Sequence, residues 1–322
     1  MVVVMIGLVV LFVGSLAVTA SLVTERFDRR LTRIGDPFVA DRKRPSGNNG
    51  AVNILAIGSD SRTSDGDARR WSYGAQRADT IMIVHIPADR EGIQVVSIPR
   101  DSWVPIPGHD SGKINAAYSL GGSKLLIRTV EQLTRVRIDH IMITDFTGFE
   151  KVTDALGGVV IDVGASTPSA GSPNAGARRL DGRLARAYVR ERHALPGGDF
   201  DRMRRQQNWM RAMAHQLISA SALTNPVKLS RTMDAIADNT AVDDGLTMRR
   251  MTQLTLSLHS VRADDLHFAT TPVTGTATGP YGQSIVNLAP RQGHELFSAL
   301  ADDTAGAWFH KHADEQLGKR VD

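Results

Sequence analysis

The 322-residue chain contains no cysteine. That absence excludes disulfide cross-links, thiol nucleophiles and zinc held by thiolates. Aromatic residues make up 5% of the sequence, too few for the stacking platforms on which single-stranded nucleic acids rest. No basic helix stands behind a turn where it could enter a DNA groove. His-Glu-x-x-His, the P-loop and Gly-x-Ser-x-Gly are all missing, which sets aside zinc peptidases, P-loop nucleotide hydrolases and serine hydrolases of the nucleophile-elbow type. Gly121-Gly122 alone is too weak a pattern for a nucleotide loop. Neither a repeat of solenoid length nor an Asp-Gly-rich calcium loop is present. Lysine is scarce, with about seven lysines against about thirty arginines. The net charge of +4 points to an anionic partner and leaves phosphate, nucleic acid and an acidic lipid surface open.

Met1 to Val23 is an almost unbroken apolar run, long enough at about 1.5 Å per residue to cross about 30 Å of hydrocarbon. It reads as a single transmembrane anchor. No charge precedes it, so cleavage at Leu16-Ala17-Val18-Thr19-Ala20 is the weaker reading. Arg26, Arg29, Arg30 and Arg33 follow the span and on their own would place that side in the cytoplasm. A basic leader upstream of Met1 is therefore expected. Residues 24–50 hold Pro37, Pro45 and Asn48-Asn49-Gly50 and read as a juxtamembrane linker. One α/β domain is expected over 51–305, with a polar tail over 306–322.

Val52 to Ile57, Thr80 to Ile86 and Ile93 to Ile98 are short apolar runs rich in β-branched residues, the pattern of buried strands. Ile138 to Thr144 and Leu266 to Thr270 read the same way. Helical spacing covers Ser123 to Leu133, Phe146 to Leu156, Arg204 to Ser219, Val227 to Ile236, Leu246 to His259 and Pro290 to Leu300. Gly157-Gly158 stops the second of these helices, and Ala165 to Ala177 reads as a surface loop. Strands interleaved with helices imply a sheet covered on both faces.

Charged residues interrupt this pattern at strand ends, where open α/β sheets place ligands. Gly58-Ser59-Asp60-Ser61-Arg62 follows the first strand, Arg77-Ala78-Asp79-Thr80 opens the second and Pro99-Arg100-Asp101 closes the third. Asp60 and Asp79 are two carboxylates able to share Mg²⁺ or Mn²⁺, since hard cations take oxygen ligands. Taken alone, Asp60 could equally cap a turn. Arg77, Arg100, Arg190, Arg192 and Arg202 are guanidiniums able to grip phosphate bidentately. Arg190 and Arg192 share a face only if Val189 to His193 is extended. Arg202 and Gln206, four apart at a helix start, share a face at its positive end. Lys113 could add a further phosphate contact. His85 and His140 read as packing or surface residues.

These segments resemble the LytR-CpsA-Psr family of wall-polymer ligases. The match runs from Asn53-Ile54-Leu55 through the three charged segments above, Lys113-Ile114-Asn115-Ala116-Ala117-Tyr118 and Asp154-Ala155-Leu156-Gly157-Gly158-Val159 to Arg190-Glu191-Arg192-His193. It closes with Gly198-Asp199-Phe200-Asp201-Arg202 and Arg205-Gln206-Gln207. The resemblance implies an α/β/α sandwich with a central mixed sheet, facing outward from the cell membrane on one amino-terminal transmembrane helix, with a polyprenyl lipid in an apolar cleft. The implied reaction transfers a phosphorylated glycan from a polyprenyl-pyrophosphate carrier to a cell-wall acceptor, peptidoglycan, and releases polyprenyl phosphate. The arginine-rich composition points to a GC-rich Gram-positive source, for which the resemblance implies arabinogalactan as the glycan. By position, Asp60 and Asp79 fall on metal-associated carboxylates, and Arg77, Arg100, Arg190, Arg192 and Arg202 on the arginines around the pyrophosphate. Asp199 and Gln206 fall on further polar residues of that site, and Lys113 is a looser match. The expected catalytic residues are Asp60, Asp79, Arg77, Arg100 and Asp199. Two rival readings stand beside it: a polyprenyl-pyrophosphate phosphatase, which needs the same charged groups but employs water, and a membrane-bound nucleic-acid-binding regulator, suggested by the basic charge alone.

Overall fold

The computed structural model describes residues 27–40, 44–47, 50–59, 77–163, 176–191, 195–218, 226–318 and 321. The anchor expected over Met1 to Val23 lies outside the described residues. Among the described residues no helix is long and apolar enough to cross a membrane.

In chain order the strands are β1 (Thr32–Arg33), β2 (Val52–Ser59), β3 (Ala78–Ile86), β4 (Ile93–Ile98), β5 (Trp103–Val104), β6 (Gly112–Lys113), β7 (His140–Asp145), β8 (Val159–Val163), β9 (Gly176–Leu180), β10 (Thr240–Val242), β11 (Leu266–Thr270), β12 (Val273–Thr278) and β13 (Ser284–Leu288). The helices are α1 (Ile114–Thr134), α2 (Phe146–Ala155), α3 (Gly182–Arg190), α4 (Asp199–Ile218), α5 (Pro226–Asp238), α6 (Met248–Ser257), α7 (Pro290–Ala301) and α8 (Ala305–Lys311). Seven strands form the main sheet in the order β1-β10-β7-β2-β3-β4-β11. The sheet is mixed: β2 runs parallel to β7 and β4 to β11, whereas β3 is antiparallel to both its neighbours.

Alternation along the strands sorts the core onto two faces, because successive side chains point to opposite sides. Ile54, Ala56, Met82, Val84 and Val95 pack with residues of α2, α3, α4, α5 and α6. Leu55, Ile57, Ile81, Ile83 and Val96 pack with residues of α1, α7 and α8. The result is a mixed sheet between two helical layers, the α/β architecture expected from the sequence. Gly121 and Gly122 put a kink inside α1, as glycine pairs do in long helices. His85 is wholly buried between Asn53 Oδ1 (2.8 Å) and Asp303 Oδ1 (3.0 Å), and His140 bonds Asp243, so both histidines serve packing.

Several stretches fold differently from their sequence patterns. Part of 24–50 is not a free linker: β1 extends the sheet by parallel pairing with β10, and Phe27 and Leu31 are buried in the core. Arg44 bonds the buried Glu131 at 2.8 Å. At the other end, Trp308 and Phe309 bury one side of α8 within 306–322. Val189 and Arg190 end a helix, α3, rather than lying in a strand; the alternation argument for Arg190 and Arg192 therefore does not hold, and Arg192 is outside the described residues. Most of the loop expected over Ala165 to Ala177 is also outside them, and its last two residues open β9, paired with β8.

Truncating a buried leucine costs both its transfer free energy and the cavity left behind. Leu31→Ala should therefore lower the unfolding free energy by about 2–5 kcal/mol, measured by urea unfolding of the full chain. A loss below about 0.5 kcal/mol, the usual range for surface substitutions, would contradict the packing of this segment.

Candidate active site

Strands β2, β3 and β4 bring their chemistry to one end of the sheet. Gly58 pairs with Thr80 and Ser59 with Ala78, so Asp79 is an extra residue on the β3 side. Such bulges re-aim a side chain and recur beside functional sites. A Cβ on Gly58 would come within 3.1 Å of Thr80 Oγ1, so glycine here lets that hydroxyl lie against the β2 backbone.

Arg100 sits in the turn that closes β4. Ser102 N and Ser102 Oγ both donate to Pro99 O, at 3.0 and 2.7 Å. Asn115 N donates to Arg100 O, tying the turn to the start of α1. The Arg100 guanidinium makes an ion pair with Asp79. It also reaches Asp199, the first residue of α4, with Nε–Oδ2 3.2 Å and NH2–Oδ1 3.4 Å. Asp199 Oδ2 accepts from Arg202 as well, at 2.9 Å. Behind the turn, Asp101 lies 3.9 Å from Arg100 Nε and 3.1 Å from Lys113 Nζ. Burial works against the Arg100 charge, but Asp199, Asp79 and Asp101 more than offset it and hold its pKa above the ordinary guanidinium value.

Helix α4 presents Asp199, Arg202 and Gln206 at spacings of three and four, one face of the helix. Gln206 Oε1 accepts from Thr80 Oγ1 at 2.9 Å, joining α4 to β3 beside Asp79. Gln207 Nε2 reaches Ser97 Oγ (2.7 Å), Ala269 O (3.0 Å) and Thr270 Oγ1 (3.2 Å), which fixes the same helix to the ends of β4 and β11. Of these two adjacent glutamines, one faces the charged cluster and the other holds the scaffold.

Thr80 and Gln206 also form part of the wall of a narrow apolar cleft of about 50 Å³ between the sheet and α4. Ile57, Met82, Val189 and Met210 line it, together with Phe149 and Trp209, which stack with ring centroids 3.8 Å apart. A larger polar hollow of about 960 Å³ includes Arg44, Arg128, Arg135 and Asp303. Since Asp303 bonds His85 and Ala88 near the end of β3, while Asp79 stands at its start, this hollow lies at the opposite pole of the sheet.

Of the residues expected from the sequence, Asp79, Arg100, Asp199, Arg202 and Gln206 come together, with Lys113 joined through Asp101. Arg77 is exposed immediately before β3, and no hydrogen bond or ion pair joins it to the cluster among the described residues. Arg190 is the exposed last residue of α3. Asp60 and Arg192 lie outside the described residues. Sequence reasoning missed Asp101, Thr80 and the Phe149–Trp209 stack as parts of the site. Asp101 stood in the Pro-Arg-Asp segment, but its pairing with Lys113 depends on the β5–β6 contact. The carboxylates supply the oxygen donors that a hard cation takes. No cluster of three or more His, Cys, Asp or Glu able to hold a metal occurs among the described residues.

The LytR_cpsA_psr family model matches residues 23–296. The chain belongs to that family. Among its curated relatives, the cell wall biosynthesis protein LcpA of Corynebacterium glutamicum is 33% identical over 288 residues, covering 77% of this chain and 55% of LcpA. The regulatory protein MsrR of Staphylococcus aureus is 32% identical over 206 residues, covering 63% of this chain and 60% of MsrR. The chain thus spans little more than half the length of these family members. Among solved structures, TagV of B. subtilis gives a TM-score of 0.64 at 24% identity, over 80% of this chain and 98% of TagV. TagT bound to LIIa-WTA gives 0.61 at 23% identity, over 81% and 95%. At these identities the structural likeness establishes the LytR-CpsA-Psr fold alone.

Asp201 offers a test of how the first turn of α4 is held. Burial pushes this carboxyl up, but bonds from Arg204 and the Gly197 amide (2.7 Å) leave its pKa below the ordinary value. A carboxyl whose pKa is lower folded than unfolded contributes stability above the unfolded value, about 3.9, and loses it as pH falls through the folded value. Urea unfolding of wild type and Asp201→Asn from about pH 7 to about pH 2 should show wild type the more stable at neutral pH, with the gap closing below about pH 4. A gap that does not change with pH would contradict the assignment.

Proposed function

We propose that this chain transfers a phosphorylated glycan from a polyprenyl-pyrophosphate carrier to a cell-wall acceptor, peptidoglycan, and releases polyprenyl phosphate. The observation that carries this reading is the shared wall at Thr80 and Gln206: a cluster of arginines and carboxylates on one side, an apolar cleft on the other. A donor with a charged pyrophosphate and a hydrocarbon tail has that polarity. The names of relatives agree with it, since LcpA is a cell wall biosynthesis protein and TagT has been solved with LIIa-WTA and with LI-WTA. Arabinogalactan is the glycan we propose, and the reading places the domain outside the cell on a single membrane span.

In this mechanism Arg100 and Arg202 grip the pyrophosphate oxygens and offset the charge that builds during transfer. Lys113, Arg190, Arg192 and Arg77 supply further positive charge around it. The acceptor hydroxyl attacks the phosphorus bonded to the sugar. A bond forms from the acceptor oxygen to that phosphorus, and the bond from phosphorus to the bridging oxygen breaks. The electron pair leaves on polyprenyl phosphate, and the hydroxyl proton passes to a carboxylate, Asp199 or Asp60. Asp60 and Asp79 would hold a Mg²⁺ or Mn²⁺ ion, which would supply further neutralisation of phosphate charge. Catalysis then rests on positioning and charge neutralisation rather than on a covalent intermediate.

Arg100→Ala should lower glycan transfer by about 10²–10³-fold, the usual effect of losing one transition-state donor, while circular dichroism and the unfolding midpoint show a folded domain. Wild-type turnover in the folded variant would overturn the assignment. Product analysis with and without acceptor separates the two enzymatic readings. Equal release of glycan phosphate into water without acceptor would identify a phosphatase.

A further inference from the structure

The proposed reaction asks two different things of two side chains: Arg100 must hold phosphate and Asp79 must hold a cation. In the structure they hold each other. The rest of the cluster is closed in the same way. Arg100 also meets Asp199, Arg202 meets Asp199, and Lys113 meets Asp101. Three cationic side chains face three carboxylates, so the described cluster is neutral by itself. A pyrophosphate entering a neutral, partly buried cluster gains little unless a guanidinium changes partner, because each partner given up is a charge-assisted hydrogen bond.

We propose that Asp79 masks Arg100, and that capture of a divalent cation by Asp79 releases the guanidinium to the pyrophosphate. The site then binds cation and pyrophosphate cooperatively and holds either one alone weakly. The bulge at Asp79 fits this role. The residue is excluded from the β2–β3 ladder, so its side chain can exchange partners without breaking strand pairing. Arg100 is likewise held by its backbone through the Pro99–Ser102 turn and Asn115 N, which leaves its guanidinium able to move between acceptors. Asp199 has a second cationic partner in Arg202, so turning Arg100 away does not by itself strip that carboxylate of its neutralising charge. Coupling of this kind is reciprocal: whatever factor the cation adds to pyrophosphate affinity, pyrophosphate adds to cation affinity. The inference rests on the proposed function, because it assumes that Arg100 receives phosphate.

The test is a double-mutant cycle read by calorimetry with inorganic pyrophosphate in EDTA. Asp79→Asn should bind pyrophosphate about ten-fold more tightly than wild type, the scale of one charge-assisted hydrogen bond set free. In an Arg100→Gln background the same substitution should change affinity by less than about two-fold, since no guanidinium remains to be released. Asp79→Ser serves the same cycle if the Asn variant does not fold. Mn²⁺ alone, followed by electron paramagnetic resonance, should bind Arg100→Gln more tightly than wild type. Equal factors in the two backgrounds would reduce the effect to the general field of one lost charge and overturn the mask, as would Mn²⁺ affinity indifferent to Arg100. If neither wild type nor any variant binds pyrophosphate with or without Mg²⁺, the proposed function falls together with the inference.

Discussion

A guanidinium at the end of a strand whose other residues are buried must be neutralised, and the partners of Arg100 bind the parts of the site to one another. Asp79 brings the start of β3, Asp199 brings the first turn of α4, and Asp101 connects through Lys113 to the small β5–β6 sheet. Removing one member of a partly buried pair leaves its partner charged and desolvated, a larger penalty than the net worth of the pair. The arrangement is therefore held less by the strength of any one contact than by the cost of leaving Arg100 uncompensated. The same charges make the site exchangeable, because anions and cations from outside can replace the internal partners.

The apolar cleft gives that exchange a direction. Thr80 and Gln206 lie beside the cluster and in the cleft wall, and most of the rest of that wall is apolar, with the stacked Phe149 and Trp209 among its members. A charged group is costly to bury there, and a hydrocarbon is not. A molecule with both parts can be oriented by solvation alone before any specific contact forms. Gln207, anchored to β4 and β11, keeps α4 in place while Gln206 faces the site. Scaffold and chemistry thus occupy neighbouring positions of one helix.

The central strands were legible in the sequence because both faces of β2, β3 and β4 are buried, which writes them as continuous β-branched runs. The glycines that end α2 were legible because glycine commonly stops a helix, and both adopt positive φ here. The packing of Phe27 and Leu31, the hairpin of β8 and β9 and the helix around Trp308 were not. Phe27 and Leu31 pack with partners far along the chain and β9 depends on its pairing with β8, while the local composition of these stretches reads as linker, loop or tail. At the site, Asp79, Arg100, Arg202 and Gln206 could be named from strand ends and helix spacing, and Asp199 from the family resemblance. Their partners could not. That Asp79 pairs with Arg100 follows from a bulge in strand register, and that Lys113 belongs with Asp101 follows from a two-residue strand pair. The placement of Arg77 and Arg190 around the pyrophosphate rested on charge and resemblance.

A crystal structure of the full chain with a polyprenyl-pyrophosphate-linked glycan and Mg²⁺ tests the account most directly. The account expects pyrophosphate oxygens within hydrogen-bonding distance of Arg100 and Arg202, the metal on Asp79, and the hydrocarbon chain running past the Thr80–Gln206 hydrogen bond toward Phe149 and Trp209. A pyrophosphate bound at the opposite pole, among Arg44, Arg128 and Arg135, with Asp79 still paired to Arg100, would contradict it.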